Sequence, residues 1–121
     1  MAAQFKVYCP GGYRVPDVFA YNLDLNIVFD TEEVFFATAF TVRNVRALLA
    51  NAAEPYFWRV DLFIVDNLRG ATILEAVTHL VQEGLTDTLF GRIGTTTTVY
   101  GELGYRFAHL PGHLEERMPF I

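Results

Sequence analysis

The chain has 121 residues, 52% of them hydrophobic and 15% aromatic, and carries a formal net charge of −5. That length suits one hydrophobic core, so residues 1–121 read as a single domain. The acidic balance excludes the dense cationic surface that nucleic-acid binders use, and the nine cations, eight of them Arg, form no polybasic run for a membrane surface.

No stretch has the length and hydropathy of a signal peptide or a bilayer span. A single cysteine, Cys9, permits no internal disulfide and suits a reducing compartment. The expectation is a soluble, cytoplasmic protein. Eleven Phe and six Tyr are a large aromatic supply for so small a core, so some rings are expected in an interface or pocket.

In chain order, a first strand ends at Cys9, ahead of the loop "PGGYRVP". Residues 21–29 then alternate, with Tyr21, Leu23, Leu25, Ile27 and Phe29 on one side and Asn22, Asp24 and Asn26 on the other, which predicts a strand with one wet face. Asp30 and Glu33 stand at capping-box spacing, so a helix competes for "VFFATAFTV". The β-branched and aromatic composition favours a strand instead, with Val34, Phe36, Phe40 and Val42 on one face. "DTEE" is then a hairpin turn opened by Asp30.

Val42, Val45, Leu48, Leu49 and Ala52 recur at helical spacing opposite Arg43, Arg46 and Asn51, with Pro55 beyond the end. "YFWRVDLFIVDN" reads as a central strand, with Trp58, Val60, Leu62 and Ile64 on one face and burial on both sides near Ile64. A second helix has a Thr72/Glu75 capping box, a stripe of Ile73, Val77, Leu80 and Val81, and a stop at Gly84. "LTDTLFGRIG" carries turn signals, and "TTTTVYGELGYRF" alternates as a strand or hairpin with Val99, Leu103, Tyr105 and Phe107 on one face. Phe120 and Ile121 anchor the tail.

This order predicts an α+β fold: a two-layer sandwich with a mostly antiparallel sheet and two helices on one face, enclosing a ferredoxin-like core.

Asp30 and Asp66 are the sharpest catalytic candidates, because "IVFD" and "FIVD" each end an apolar run in a carboxylate. Were the two strands parallel neighbours, both carboxylates would leave the same sheet edge and could hold a divalent cation for hydrolysis or phosphoryl transfer. If Asp30 is a turn residue, that geometry is lost. Cys9 would need an activating base or cation, such as His109, His113 or Arg14, and otherwise reads as a buried, inert thiol.

His109 and His113 have a spacing seen in zinc sites, with Cys9, Glu115 or Glu116 as the remaining donors, but "HLPGH" breaks any shared helical face. His79 is explained by an ion pair with Glu75. "FGRIGTTTT" lacks the Lys and the helix of a phosphate loop. No resident metal or cofactor is expected.

The expected function is that of a non-catalytic, homo-oligomeric binding or interaction module. Self-association would use an open sheet face bearing Tyr8, Phe35, Phe57 and Phe63, or an edge strand. Arg43 and Arg46 would meet an acidic partner or anion. The alternatives are the Asp30/Asp66 hydrolase or phosphotransferase, and a small-molecule-binding domain with an aromatic pocket between sheet and helices.

Overall fold

A computed structural model describes residues 4–9 and 15–101. The elements follow in the order β1 (Phe5–Tyr8), β2 (Asn22–Phe29), β3 (Glu33–Thr41), α1 (Val42–Ala50), β4 (Leu62–Val65), α2 (Gly70–Gln82), α3 (Thr86–Leu89), β5 (Gly91–Thr95) and α4 (Thr96–Tyr100). The fold is α+β, built on one mixed sheet. Strands β1, β2 and β3 form an antiparallel meander. The outer edge of β3 is shared, its C-terminal half pairing parallel with β4 and its N-terminal half antiparallel with β5. Three strands precede the first helix, so the βαββαβ order of a ferredoxin-like core is not followed.

The competition after Asp30 resolves in favour of the strand. β2 and β3 pair from Asn22↔Phe40 to Val28↔Val34. Glu32 N–H donates to Phe29 O at 2.9 Å, and Glu32 takes φ 73°, so the connection is a tight turn with a left-handed last residue. β-Branched and aromatic side chains lose rotamer freedom in a helix and pack well on a pleated surface, which is why composition outweighed the capping-box spacing.

One sheet face carries the main core. Val7, Leu25, Ile27, Phe35, Ala37, Ala39 and Val65 are buried there with Ile73 and Val77 of α2, Leu68 and Phe90. The opposite face is covered at one end by α4, whose Val99 and Tyr100 pack on Tyr8, Val28 and Val34. The face expected to be wet is thus partly covered: Asn26 is buried and its Nδ2 donates to the Tyr100 hydroxyl at 2.8 Å. Burial raises the Tyr100 pKa, and the Asn26 bond opposes that rise.

α1 and α2 are unequal partners of the sheet. α2 buries Gly70, Ile73 and Val77, whereas α1 buries none of its residues. α1 starts because Thr41, ending β3, caps it: the fully buried Oγ1 accepts from Asn44 N–H at 3.2 Å and Tyr21 N–H at 3.3 Å.

Three local expectations are corrected. α2 begins at Gly70 rather than at a Thr72/Glu75 box, because the Asn67 Oδ1 accepts from Arg69 N–H at 3.0 Å and from Thr72 Oγ1 at 2.8 Å. The threonine run does not continue as a strand: Thr95 ends β5 and forms with Thr98 a reciprocal capping box that starts α4. "LTDTLFGRIG" is more than turns, since it supplies α3 and enters β5. Leu103, Tyr105, Phe107, Phe120 and Ile121 lie outside the described residues.

β4 and β5 meet end to end where Asp61 enters β4. Asp61 takes φ 55° and its carbonyl accepts from Thr38 N–H at 2.9 Å, while its carboxylate occupies the space that a Cβ on Gly91 would need. Gly91→Ala should therefore cost only about 1 kcal/mol, because the obstructing atoms are the end of the Asp61 side chain, which can move to another rotamer. Combining it with Asp61→Gly, which removes the obstructing side chain and suits the left-handed backbone, should return most of the loss in urea unfolding. A full, additive loss in the double variant would place the cause elsewhere.

Candidate interaction surface

The catalytic candidates are held apart. Asp30 follows β2 at the end of the sheet where β3 begins, and Asp66 follows β4 at the end where β3 finishes. Most of the length of β3, about 25 Å at ~3.3 Å per residue, lies between them. Asp30 is an exposed turn residue whose N–H donates to Gln4 O at 3.0 Å. Asp66 accepts from Asn67 Nδ2 at 3.3 Å, at the start of the loop that leads to α2. The structure does not assemble these two carboxylates into one site.

Asp66 instead lines a cleft of about 300 Å³ with Phe19, Val42, Arg43 and Arg46. Both arginines are exposed on the first turns of α1, and the Arg69 guanidinium lies over the Phe19 ring at 5.3 Å. The cationic side of α1 thus faces a carboxylate of its own chain.

Cys9 is fully buried. Burial, and then the Asp24 carboxylate, push its thiol from 9.0 up to about 12, which keeps it protonated and unreactive near neutral pH. His109, His113, Arg14, Glu115 and Glu116, named as its activators or as zinc donors, lie outside the described residues. Among the described residues no three His, Cys, Asp or Glu side chains gather as metal ligands. His79 pairs with Glu83 at 3.8 Å, not with Glu75, on an exposed turn of α2.

The aromatic residues expected on an open sheet face are distributed differently. Tyr8 is covered by α4, and Phe35 lies in the main core, edge-on to Phe29 at 5.5 Å. Phe63 is half-buried against that core, its ring 6.1 Å from Phe90. Tyr8 and Phe35 are thus covered and Phe63 partly so, because alternation fixes which side a ring points to and not what later covers it.

Phe57 does contribute to an exposed surface, as its anchor. Its ring packs edge-on against buried Phe40 at 5.2 Å, the Arg59 guanidinium lies over it at 5.1 Å, and Arg59 Nη1 donates to Trp58 O at 3.0 Å. This clamp holds a segment from which Tyr56, Trp58 and Val60 project with 60%, 67% and 61% of their surfaces exposed. Tyr56 and Trp58 line a cleft of about 390 Å³ with Leu48 and Ala52, so the apolar stripe of α1 joins the same surface.

The expected central strand is the source of this exposure. β4 spans only Leu62–Val65 and, among the described residues, lies at the edge of the sheet, so Trp58 and Val60 precede the strand and Ile64 is 52% exposed. Sequence reading placed these residues on one face but assigned them to the interior. The usable signal was the short run between Asp61 and Asp66, too short for a central strand flanked on both sides.

No helix among the described residues is long and apolar enough to cross a membrane. No family model, curated protein or solved structure matches the chain.

The burial of Cys9 has a measurable consequence. An unfolded thiol ionises near 9.0 while the folded one holds its proton to about 12, so the folded state binds more protons in between. Stability from this group is fully present below pH 9 and should fall by about 1.4 kcal/mol per pH unit above it. Cys9→Ala should flatten that alkaline decline in denaturant titrations, and thiol reagents should label the wild-type chain at neutral pH only after unfolding. Labelling of the native chain would contradict the buried assignment.

Proposed function

We propose that the protein is a non-catalytic, homo-oligomeric interaction module whose contact surface is built by α1 and the segment leading into β4. The observation that carries this reading is Trp58, two-thirds exposed beside Tyr56 on a segment clamped by the Phe40–Phe57–Arg59 stack. Trp, Tyr and Arg dominate interface hot spots because they combine large apolar area with a polar handle and few rotatable bonds.

Preorganisation matters as much as composition. A segment already held in place loses little freedom on binding, so its apolar area is not spent on ordering the chain. Tyr56 and Trp58 expose on the order of 250 Å² together, a substantial part of the ~800 Å² that each partner contributes to a standard interface. An aliphatic helix stripe of Leu48 and Leu49, left exposed beside them, extends the same surface.

The test is analytical ultracentrifugation over a wide concentration range. The wild-type chain should self-associate, and Trp58→Ser should weaken association at least tenfold while leaving the urea midpoint unchanged at concentrations low enough to dissociate both proteins, since Trp58 is two-thirds exposed. A wild-type chain that stays monomeric at the highest concentration ends the reading.

A further inference from the structure

Resting on that reading of self-association, we infer that the second copy is added along the free edge of β4, by a two-fold axis passing beside Ile64. The result is one continuous sheet through both copies.

β4 is an edge strand, bonded only to β3 among the described residues. The parallel register Thr38↔Leu62, with Thr38 N–H donating to Asp61 O, determines which groups point inward. In a parallel ladder each residue bonds to the two neighbours of its opposite number, so Asp61 O, Phe63 N–H and O, and Val65 N–H turn toward β3. The N–H and C=O of Leu62 and Ile64 turn outward. An edge of this kind is a template for another strand, and natural proteins blunt it with Lys, Pro or a covering element. This one carries Leu62-Phe63-Ile64-Val65.

Beside the edge runs a groove of about 1130 Å³ between β4 and α2. Ile64 lines it with Ala71, Leu74, Glu75, Thr78 and His79 of α2.

The charges choose a second copy and a register. With Ile64 opposite Ile64 of the other copy, the outward-facing groups exchange two hydrogen bonds across the axis. Leu62 then faces Asp66, and Asp61 faces Asn67, so no two carboxylates oppose each other. A one-residue slip would set Asp61 against Asp66 and match outward groups with inward ones.

The same axis lays the two α2 flanks antiparallel. Two strands at ~4.8 Å spacing bring such helices to the 8–10 Å at which helices pack. The groove-lining Leu74, Glu75, Thr78 and His79 of each copy then turn toward the same flank of the other, which offers each Glu75 carboxylate an imidazole and a hydroxyl to approach.

The closing experiment uses three variants in the full chain. Ile64→Pro removes only an outward N–H, and Ile64→Lys keeps every backbone group while charging the edge, so both should retain the wild-type circular dichroism spectrum. Each should weaken dimerisation at least 30-fold by ultracentrifugation. Ile64→Cys should form a covalent dimer on mild oxidation, because hydrogen-bonded antiparallel partners hold their Cα atoms ~5.5 Å apart, within disulfide range. Ile93→Cys on β5, equally exposed, should not.

A dimer that persists in Ile64→Pro and Ile64→Lys, or that leaves Ile64→Cys uncross-linked, overturns the edge assignment. If Trp58→Ser still dissociates that dimer, the proposed function survives it. A monomeric wild-type chain removes both.

Discussion

The structure depends on satisfying β3 along both of its edges. Nine residues of backbone polar groups sit in the middle of the sheet, where water cannot serve them, and β2, β4 and β5 are each placed by what they offer to that strand. β2 covers one edge in a single hairpin. The other edge is too long for either remaining strand, so β4 and β5 divide it, one parallel and one antiparallel. At the junction between them Asp61 takes a left-handed backbone and its carboxylate lies against the bare Cα of Gly91.

That division explains the placement of the exposed surface. A parallel neighbour requires the chain to travel back along the sheet before it can pair, and residues 42–61 make this return. The first part is α1, tied at its start by the Thr41 hydroxyl and the Asn44 Nδ2 bond to Asn22 Oδ1 at 3.0 Å. The remainder is held by Phe57 on Phe40. The crossover is fixed at both ends yet buries no helix residue, so its apolar side chains stay in water. Rigid anchoring combined with poor burial is costly for an isolated chain, and it is the condition under which association gains most.

Much of the fold was legible from local chemistry. Composition settled β3 against a helix, strict alternation marked β2, and the Ile73/Val77 stripe with a stop at Gly84 marked α2. Gly84 indeed takes φ 74°. The failures share one cause: each needed a partner distant in sequence. Whether β4 is central or marginal depends on what lies beyond it, and whether Tyr8 faces solvent depends on α4, some ninety residues later. The four threonines misled because β-propensity describes a half-buried pleated surface, whereas Thr95 and Thr98 use their hydroxyls on backbone N–H groups. Arg43 and Arg46 were correctly read as exposed, but their nearness to Asp66 required the crossover to be known.

The contrast between the two sides of β3 also bears on the order of folding. The β2–β3 hairpin closes through a tight turn, so its contacts form at little loop-closure cost. Parallel docking of β4 must wait for twenty intervening residues to be laid across the sheet, and such non-local pairings form slowly. During that interval Phe63, Ile64 and Val65 belong to an unpaired apolar strand beside a meander that already offers an open edge. Intramolecular docking and capture by a neighbouring chain compete for the same strand, so the yield of correctly folded protein is expected to fall as the concentration during refolding rises.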